Sequence, residues 1–255
     1  MLLKGGQNIC GTTIGVLCLD SKFPKPPGHI KNPSSLGFPV IYETVQGATV
    51  RLLIEQPSKE LLEPFIQAVK KLETEGVRAI TGSCGFLALY QEELARAVNV
   101  PVFISSLIQV PMVYTMLGGQ QQVGILTANA KQLTDRHFAA VGATDIPVIV
   151  EGMESYAEFN EVILQGKRDD MDISLIESEI MDAALKLTAK NNIGAIVLEC
   201  TDMPPYAHNI QKITGLPVFD LTTLTTMVHG VVSRKSYDGI MPGIYNQDLP
   251  ITFQR

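Results

Sequence analysis

The stretch A79-I-T-G-S-C-G-F86 has a counterpart in A195-I-V-L-E-C-T-D202, and this pair decides how the rest of the chain is read. Cys84 and Cys200 are 200 − 84 = 116 positions apart, and the same offset carries Ala79-Ile80 onto Ala195-Ile196. It also carries Tyr90 onto Tyr206 and Pro101-Val102-Phe103 onto Pro217-Val218-Phe219. A gap-free register over that span implies two similar structural units, each with one cysteine at the same place. Upstream, Ile14-Gly15-Val16-Leu17 resembles Val123-Gly124-Ile125-Leu126 at offset 109, so the second unit has 116 − 109 = 7 extra residues, an ordinary change of loop or helix length.

Working outward, residues 12–19 (TTIGVLCL) form an apolar run that predicts a buried strand delivering Asp20 and Ser21 at its carboxyl end. Residues 22–39 hold five prolines and predict a long irregular loop, either a lid over a site or a surface-packing segment. A strand is expected at 40–45. Leu61, Leu62, Phe65, Ile66, Val69 and Leu72 follow helical spacing across 58–75, with Ser58 as cap and Pro64 near the start. A strand at 77–81 leads into Cys84, followed by a helix at 86–97, a strand at 101–104 and a helix at 107–117. The alternation restarts with a strand at 122–127, a helix near 131–140, a strand at 146–150 and helices near 155–164 and 172–190. It ends with a strand at 193–198, a short helix at 206–213, a strand at 216–219 and a helix at 221–232, where four threonines weaken the helical pattern. Such β-then-α repetition predicts parallel sheets covered by helices.

Of the 255 residues, 45 % are hydrophobic and 18 % charged, with a net charge of −6; that balance offers no basic surface for nucleic acid. The four cysteines (10, 18, 84 and 200) form neither a disulfide framework nor a close zinc pair, which favours a reducing compartment. Asp20 and Lys22 follow the apolar N-terminal stretch, no export-cleavage pattern is evident, and no apolar run reaches membrane-spanning length. A cytoplasmic protein without membrane contact is the expectation. The histidines (29, 137, 208 and 229) lack metal-ligand spacing, and Gly5-Gly6 and Gly118-Gly119 lack the context of a nucleotide-binding loop.

Ligands of parallel α/β sheets bind outside the carboxyl ends of the strands, where Asp20-Ser21, Cys84, Thr127–Asn129 and Cys200-Thr201 are all predicted. Two thiols facing each other across one gap suit a reaction in which one removes a proton from carbon and the other returns one to the opposite face. Each thiol needs help to ionise near neutral pH, and the helix N-termini after the two strands offer N–H groups for that purpose and for a substrate carboxylate. Gly85 permits close backbone approach, or serves only the turn. Ser83 and Glu199 precede the two cysteines; Glu199 either tunes Cys200 or, with side chains alternating along a strand, points away from it. Ser21 and Thr201 are equally capping candidates, Asn129 a turn former, and His208 a residue of the cleft or of the surface.

With these residues in view, the chain resembles the cofactor-independent aspartate/glutamate racemase superfamily, with its hydantoin racemases, maleate isomerases and arylmalonate decarboxylases. The resemblance spans nearly the whole chain and is most specific at the two cysteine segments. It implies two pseudo-symmetric three-layer α/β/α domains, residues 1–108 plus 220–255 and residues 109–219, with an interdomain cleft. It implies Cys84 and Cys200 as catalytic pair, no pyridoxal phosphate and no metal. Asp20-Ser21 matches the acidic-serine element after the first strand, Cys200-Thr201 the second cysteine-threonine pair, and Thr127-Ala128-Asn129 the loop after the first strand of the second domain.

Two departures bear on the substrate. Gly85-Phe86 stand where the racemases usually carry Asn-Thr after the first cysteine, and Asp202 stands where many members carry His or Glu. Loss of a donor in a buried site costs about 1–3 kcal/mol, enough to change substrate preference. The expected activity is racemisation or epimerisation of a small carboxylate-bearing or hydantoin-like compound. Alternatives are cis–trans isomerisation of an unsaturated diacid, carbon–carbon cleavage or decarboxylation, and non-catalytic binding of a small acid; a homo-oligomer fits any of them.

Overall fold

The computed structural model of the protein describes residue 2 and residues 5–7, 9–190 and 192–238, except for the side chain of residue 59. The irregular tail expected after Arg234 therefore lies, from residue 239 onward, outside the described residues.

The described residues form two four-stranded parallel sheets. In the first, β1 (Ile14–Leu19), β2 (Val40–Val45), β3 (Ala79–Gly82) and β4 (Val102–Phe103) lie in the order β2-β1-β3-β4. In the second, β5 (Gln122–Thr127), β6 (Val148–Gly152), β7 (Ile193–Leu198) and β8 (Val218–Phe219) repeat that order as β6-β5-β7-β8. Every residue of β1 and β7 is buried, as expected for strands covered on both faces. The glycines at offset 109 have the same task in both units. A Cβ on Gly15 would lie 3.1 Å from Leu72, and one on Gly124 3.0 Å from Ile193 and 3.1 Å from Leu187, so their absence lets the covering helix settle on the strand.

The helices are α1 (Val50–Glu55), α2 (Lys59–Thr74), α3 (Gln91–Arg96), α4 (Val110–Met116), α5 (Asp135–Ala140), α6 (Ile173–Ala189), α7 (Ala207–Thr214) and α8 (Leu221–Val232). Ser58 caps α2 as expected, and Pro64 is held within it. α8 is helical throughout its expected span: Asp220 caps it, and the hydroxyls of Thr225 and Thr226 bond back to carbonyls one turn earlier. It returns to the first sheet, where Leu221 and Leu224 pack with Ile14, Val16 and Ala79. Burial of each such leucine contributes about 1.5–3 kcal/mol.

Several expected helices are shorter or tighter than their apolar spacing suggests. Cys84 opens a 3-10 helix, Gly85–Tyr90, before α3; Cys200 is followed by a turn and the 3-10 segment Pro204–Tyr206 before α7. Pro204 and Pro205 lack the N–H groups of a regular first turn. A 3-10 turn, Ser106–Gln109, likewise precedes α4, the segment near 155–164 contains a π-helix, Phe159–Leu164, and α5 starts only after Thr134. α1, capped by the Thr49 hydroxyl at 3.2 Å from the Leu52 N–H, is too short to show periodicity in the sequence. No helix among the described residues is long and apolar enough to cross a membrane.

Candidate active site

β3 and β7 occupy corresponding positions in their sheets, and each delivers a cysteine just beyond its end. In the first half, Ser83 Oγ accepts from the Leu19 N–H at 2.9 Å, and the Cys18 thiol lies against the same hydroxyl. In the second, Glu199 (83 + 116) accepts on Oε2 from Thr127 Oγ1 at 2.8 Å and from the Ala128 N–H at 3.5 Å. Thr127 and Ala128 are Cys18 and Leu19 advanced by 109. One scaffold thus ties both cysteine turns to the end of the neighbouring strand, with a serine on one side and a glutamate on the other.

The two turns meet. Thr201 Oγ1 donates to the Ser83 carbonyl at 2.7 Å across the halves. Gly85 faces Glu199 so closely that a Cβ there would fall 2.1 Å from Oε1 and 2.2 Å from the carbonyl oxygen. Cys84 is 9 % and Cys200 6 % exposed, and the charge of each half reaches the other: Cys84 is among the groups that act on Cys200. Neither sulfur faces a purely apolar interior.

Above Cys200 lies the proline-rich loop. Cys200 Sγ donates to Asp202 Oδ2 at 3.6 Å, and His29 Nε2 lies 3.1 Å from Asp202 Oδ1. His29 Nδ1 accepts from the Lys31 N–H at 2.8 Å, so the ring proton sits on Nε2 and points at Asp202. Gly28, at φ +105°, packs where a Cβ would be 2.6 Å from Pro205 Cα, and its carbonyl accepts from Thr222 Oγ1 at 2.8 Å. The loop is thereby docked on the second cysteine turn and on α8. Lys31 Nζ reaches the Leu19 carbonyl at 2.8 Å and Ser21 Oγ at 3.0 Å, while Lys25 Nζ stands 3.3 Å over the Phe23 ring.

These surroundings set the protonation states. Burial, reinforced by the Glu199 and Asp202 carboxylates, raises the Cys84 thiol above its ordinary range despite the Phe86 and Leu87 N–H groups at its sulfur. Burial, Asp202 and Glu199 raise Cys200 likewise. The backbone donors expected to ionise the thiols are present but outweighed. Burial pushes Glu199 up to about 7 against the bonds from Thr127 and Ala128. Asp202 feels the same burial, yet His29 and Lys25 hold its carboxyl below the ordinary value. Burial brings Lys25 down to about 8.

Ser83, Gly85, Thr127, Glu199, Thr201 and Asp202 thus come together around the two cysteines. Phe86 is buried but packs edge-on against His137, ring centroids 5.1 Å apart, in the contact between the halves. Asp20 Oδ2 accepts from the Gly47 N–H at 3.1 Å, and Asn129 Oδ1 from the N–H groups of Lys131 and Gln132, so both stabilise turns. His208 is exposed on α7, which answers the sequence alternative in favour of the surface. Asp20 and Ser21 line a cavity of about 320 Å3 between the two halves with Phe23, Arg51, Ile163 and Arg168, and neither Cys84 nor Cys200 is among its lining residues. Sequence reasoning missed His29, Lys25 and Lys31; proline density in their loop was the available signal. Among the described residues, no group of His, Cys, Asp and Glu is arranged to hold a metal ion.

Comparison with known proteins fixes the kinship. No family model matches the chain. Dimethylsulfoniopropionate lyase of Durusdinium sp. clade D is 30 % identical over 249 residues, covering 90 % of this chain and 78 % of that protein. The chain belongs to the dimethylsulfoniopropionate lyase family. Dimethylsulfoniopropionate lyase 3 of Emiliania huxleyi (strain CCMP1516) is 35 % identical over 225 residues, which are 83 % of this chain; the chain spans 57 % of that relative's length. In fold, a glutamate racemase from Bacillus anthracis matches with a TM-score of 0.57 at 18 % identity, over 87 % of this chain and 81 % of the racemase. Unliganded arylmalonate decarboxylase matches with a TM-score of 0.53 at 12 % identity, over 91 % and 97 %. The fold is therefore that of the aspartate/glutamate racemase superfamily, as the sequence resemblance implied, while the sequence kinship turns from racemases to lyases.

Proposed function

We propose that this member of the family is a lyase that releases dimethyl sulfide from dimethylsulfoniopropionate or a close sulfonium carboxylate, with Cys200 as the base. The observation that carries this reading is the inequality of the two cysteines: among the described residues only Cys200 has a carboxylate, Asp202, that accepts from its thiol and is held in turn by His29. A racemase needs two groups exchanging base and acid roles. An elimination that expels a neutral sulfide needs one base and no acid for the leaving group. This is the lyase alternative of the sequence, with carbon–sulfur in place of carbon–carbon as the bond broken.

The chemistry follows from the substrate. Its sulfonium sits on the carbon β to the carboxylate, so loss of an α-proton to the Cys200 thiolate, formation of the Cα–Cβ double bond and departure of the sulfide pair give acrylate and dimethyl sulfide. A cation entering between Glu199 and Asp202 offsets the carboxylate charge that opposes thiol ionisation. The Cys200 proton can then pass to Asp202. Lys25, half-buried and balanced between Asp202 and the cleft residue Asp169, is the cation we assign to the substrate carboxylate. Gly85 and Phe86 in place of Asn-Thr suit a substrate without an α-amino group.

Racemisation keeps one observation in its favour, the fold shared with glutamate racemase. Headspace detection of dimethyl sulfide, run beside solvent-deuterium exchange with both enantiomers of aspartate and glutamate, separates the two. Sulfide release with stoichiometric acrylate is expected. Amino-acid exchange without sulfide release would reject the lyase reading.

A further inference from the structure

The half-sites differ most at the residue before each cysteine. Ser83 has a single side-chain oxygen, which accepts from the Leu19 N–H and lies against the Cys18 thiol. Glu199 makes the equivalent contacts with Oε2 alone. Its Oε1 is buried without a hydrogen-bond partner among the described residues and lies against Gly85, the neighbour of Cys84 in the opposite half. A carboxylate oxygen in that position projects its charge onto the far cysteine.

We propose that Glu199 is a positioning residue for Cys84: anchored in its own half by Thr127 and Ala128, it keeps the Cys84 sulfur protonated so that Cys200 alone supplies the base. The inference rests on the lyase reading with Cys200 as base, and gives the second cysteine a thiol's role, donating a hydrogen bond to substrate rather than removing its proton. The chemistry agrees with the contact. Glu199 ranks ahead of Asp202 among the charges opposing ionisation of Cys84, and behind Asp202 for Cys200. The titratable groups facing Glu199 are Cys84 on the opposite turn and Cys200 and Asp202 on its own; Thr127 and Ala128 at the end of β5 and Ser106 behind its backbone do not titrate in the working range.

The test reads the thiols rather than turnover. The intact protein and its Glu199→Gln variant are alkylated with iodoacetamide from pH 6 to 10, and the rate at each cysteine is followed by peptide mass spectrometry, with exposed Cys10 as internal reference. Glutamine keeps the acceptor for Thr127 and Ala128 but removes the charge. Cys84 is expected to react roughly tenfold faster at a given pH, its profile moving by about one unit, while Cys200 moves less and Cys10 not at all. Should Glu199→Gln fail to fold, Thr127→Val, which weakens the bond favouring the charged carboxylate, is expected to move Cys84 in the same direction by less. An unchanged Cys84 profile in a folded variant, or a larger shift at Cys200 than at Cys84, would overturn the proposal. Absence of dimethyl sulfide release by the wild-type protein would count against the lyase reading alone and leave this readout intact.

Discussion

The two halves of the site are built on one plan and finished differently. At matched positions the first half has Cys18, Leu19, Ser83, Cys84 and Gly85, and the second has Thr127, Ala128, Glu199, Cys200 and Thr201. The bonds that fix the turns are preserved, Ser83 to Leu19 and Glu199 to Ala128, because each turn must be tied to the strand beside it. What differs is charge. The second half gathers Glu199, Asp202 and the His29 loop around its cysteine, while the first gives up a side chain at Gly85 to make room for Glu199. Duplication supplies two matched sulfurs; in the proposed lyase, divergence around them makes one a base and leaves the other a donor.

The largest expected difference between the halves is in turnover. Cys200→Ser should lower kcat by roughly 10²–10⁴-fold, the range for a lost general base, whereas Cys84→Ser retains a hydroxyl donor and should lose much less. Headspace measurement of dimethyl sulfide checks the pair, and equal losses would restore the symmetric mechanism. Replacing His29 with Leu removes the N–H that lies against Asp202 and helps to hold its carboxyl in the charged form. Loss of a hydrogen bond to a charged group costs about 1.5–3 kcal/mol, so kcat/KM should fall roughly 10- to 100-fold with Cys84 alkylation unaltered.

Gly85→Ala probes the contact between the halves. Its methyl group would enter the space of the Glu199 carboxyl and carbonyl oxygens, and overpacking of this kind costs about 1–3 kcal/mol. Thermal unfolding should reveal the loss, and the double variant with Glu199→Gln should not recover it, because the carbonyl clash remains. The smallest effect concerns His137, which packs on Phe86 in the same contact. Burial lowers its pKa from 6.5 to about 4, so the unfolded chain binds more protons between those values and stability falls as pH drops through that window. Denaturant titrations at pH 7 and pH 5 should show a smaller difference in His137→Gln than in the wild type.

The sequence made the fold legible because β1, β3, β5 and β7 are buried runs whose repeats at offsets 109 and 116 need no structural context to be seen. The paired cysteines were legible for the same reason. Their inequality was not. His29 is 171 residues from Cys200 in sequence (200 − 29) and joins it only because the proline-rich loop folds over the second turn. Glu199 looked as though it could turn away from the sulfurs, since alternation along a strand says nothing about a turn from the other half that approaches within contact. The repeat alone implies identical roles and hence racemisation, whereas the unmatched residues around it favour the lyase reading.

That both sulfurs address one substrate is tested most directly by a short bifunctional thiol reagent applied to the reduced protein, with and without dimethylsulfoniopropionate, and mapped by peptide mass spectrometry. The account predicts a Cys84–Cys200 bridge that forms readily and is suppressed by the substrate. Efficient single labelling of both cysteines with no bridge between them, at every concentration of substrate, would contradict it.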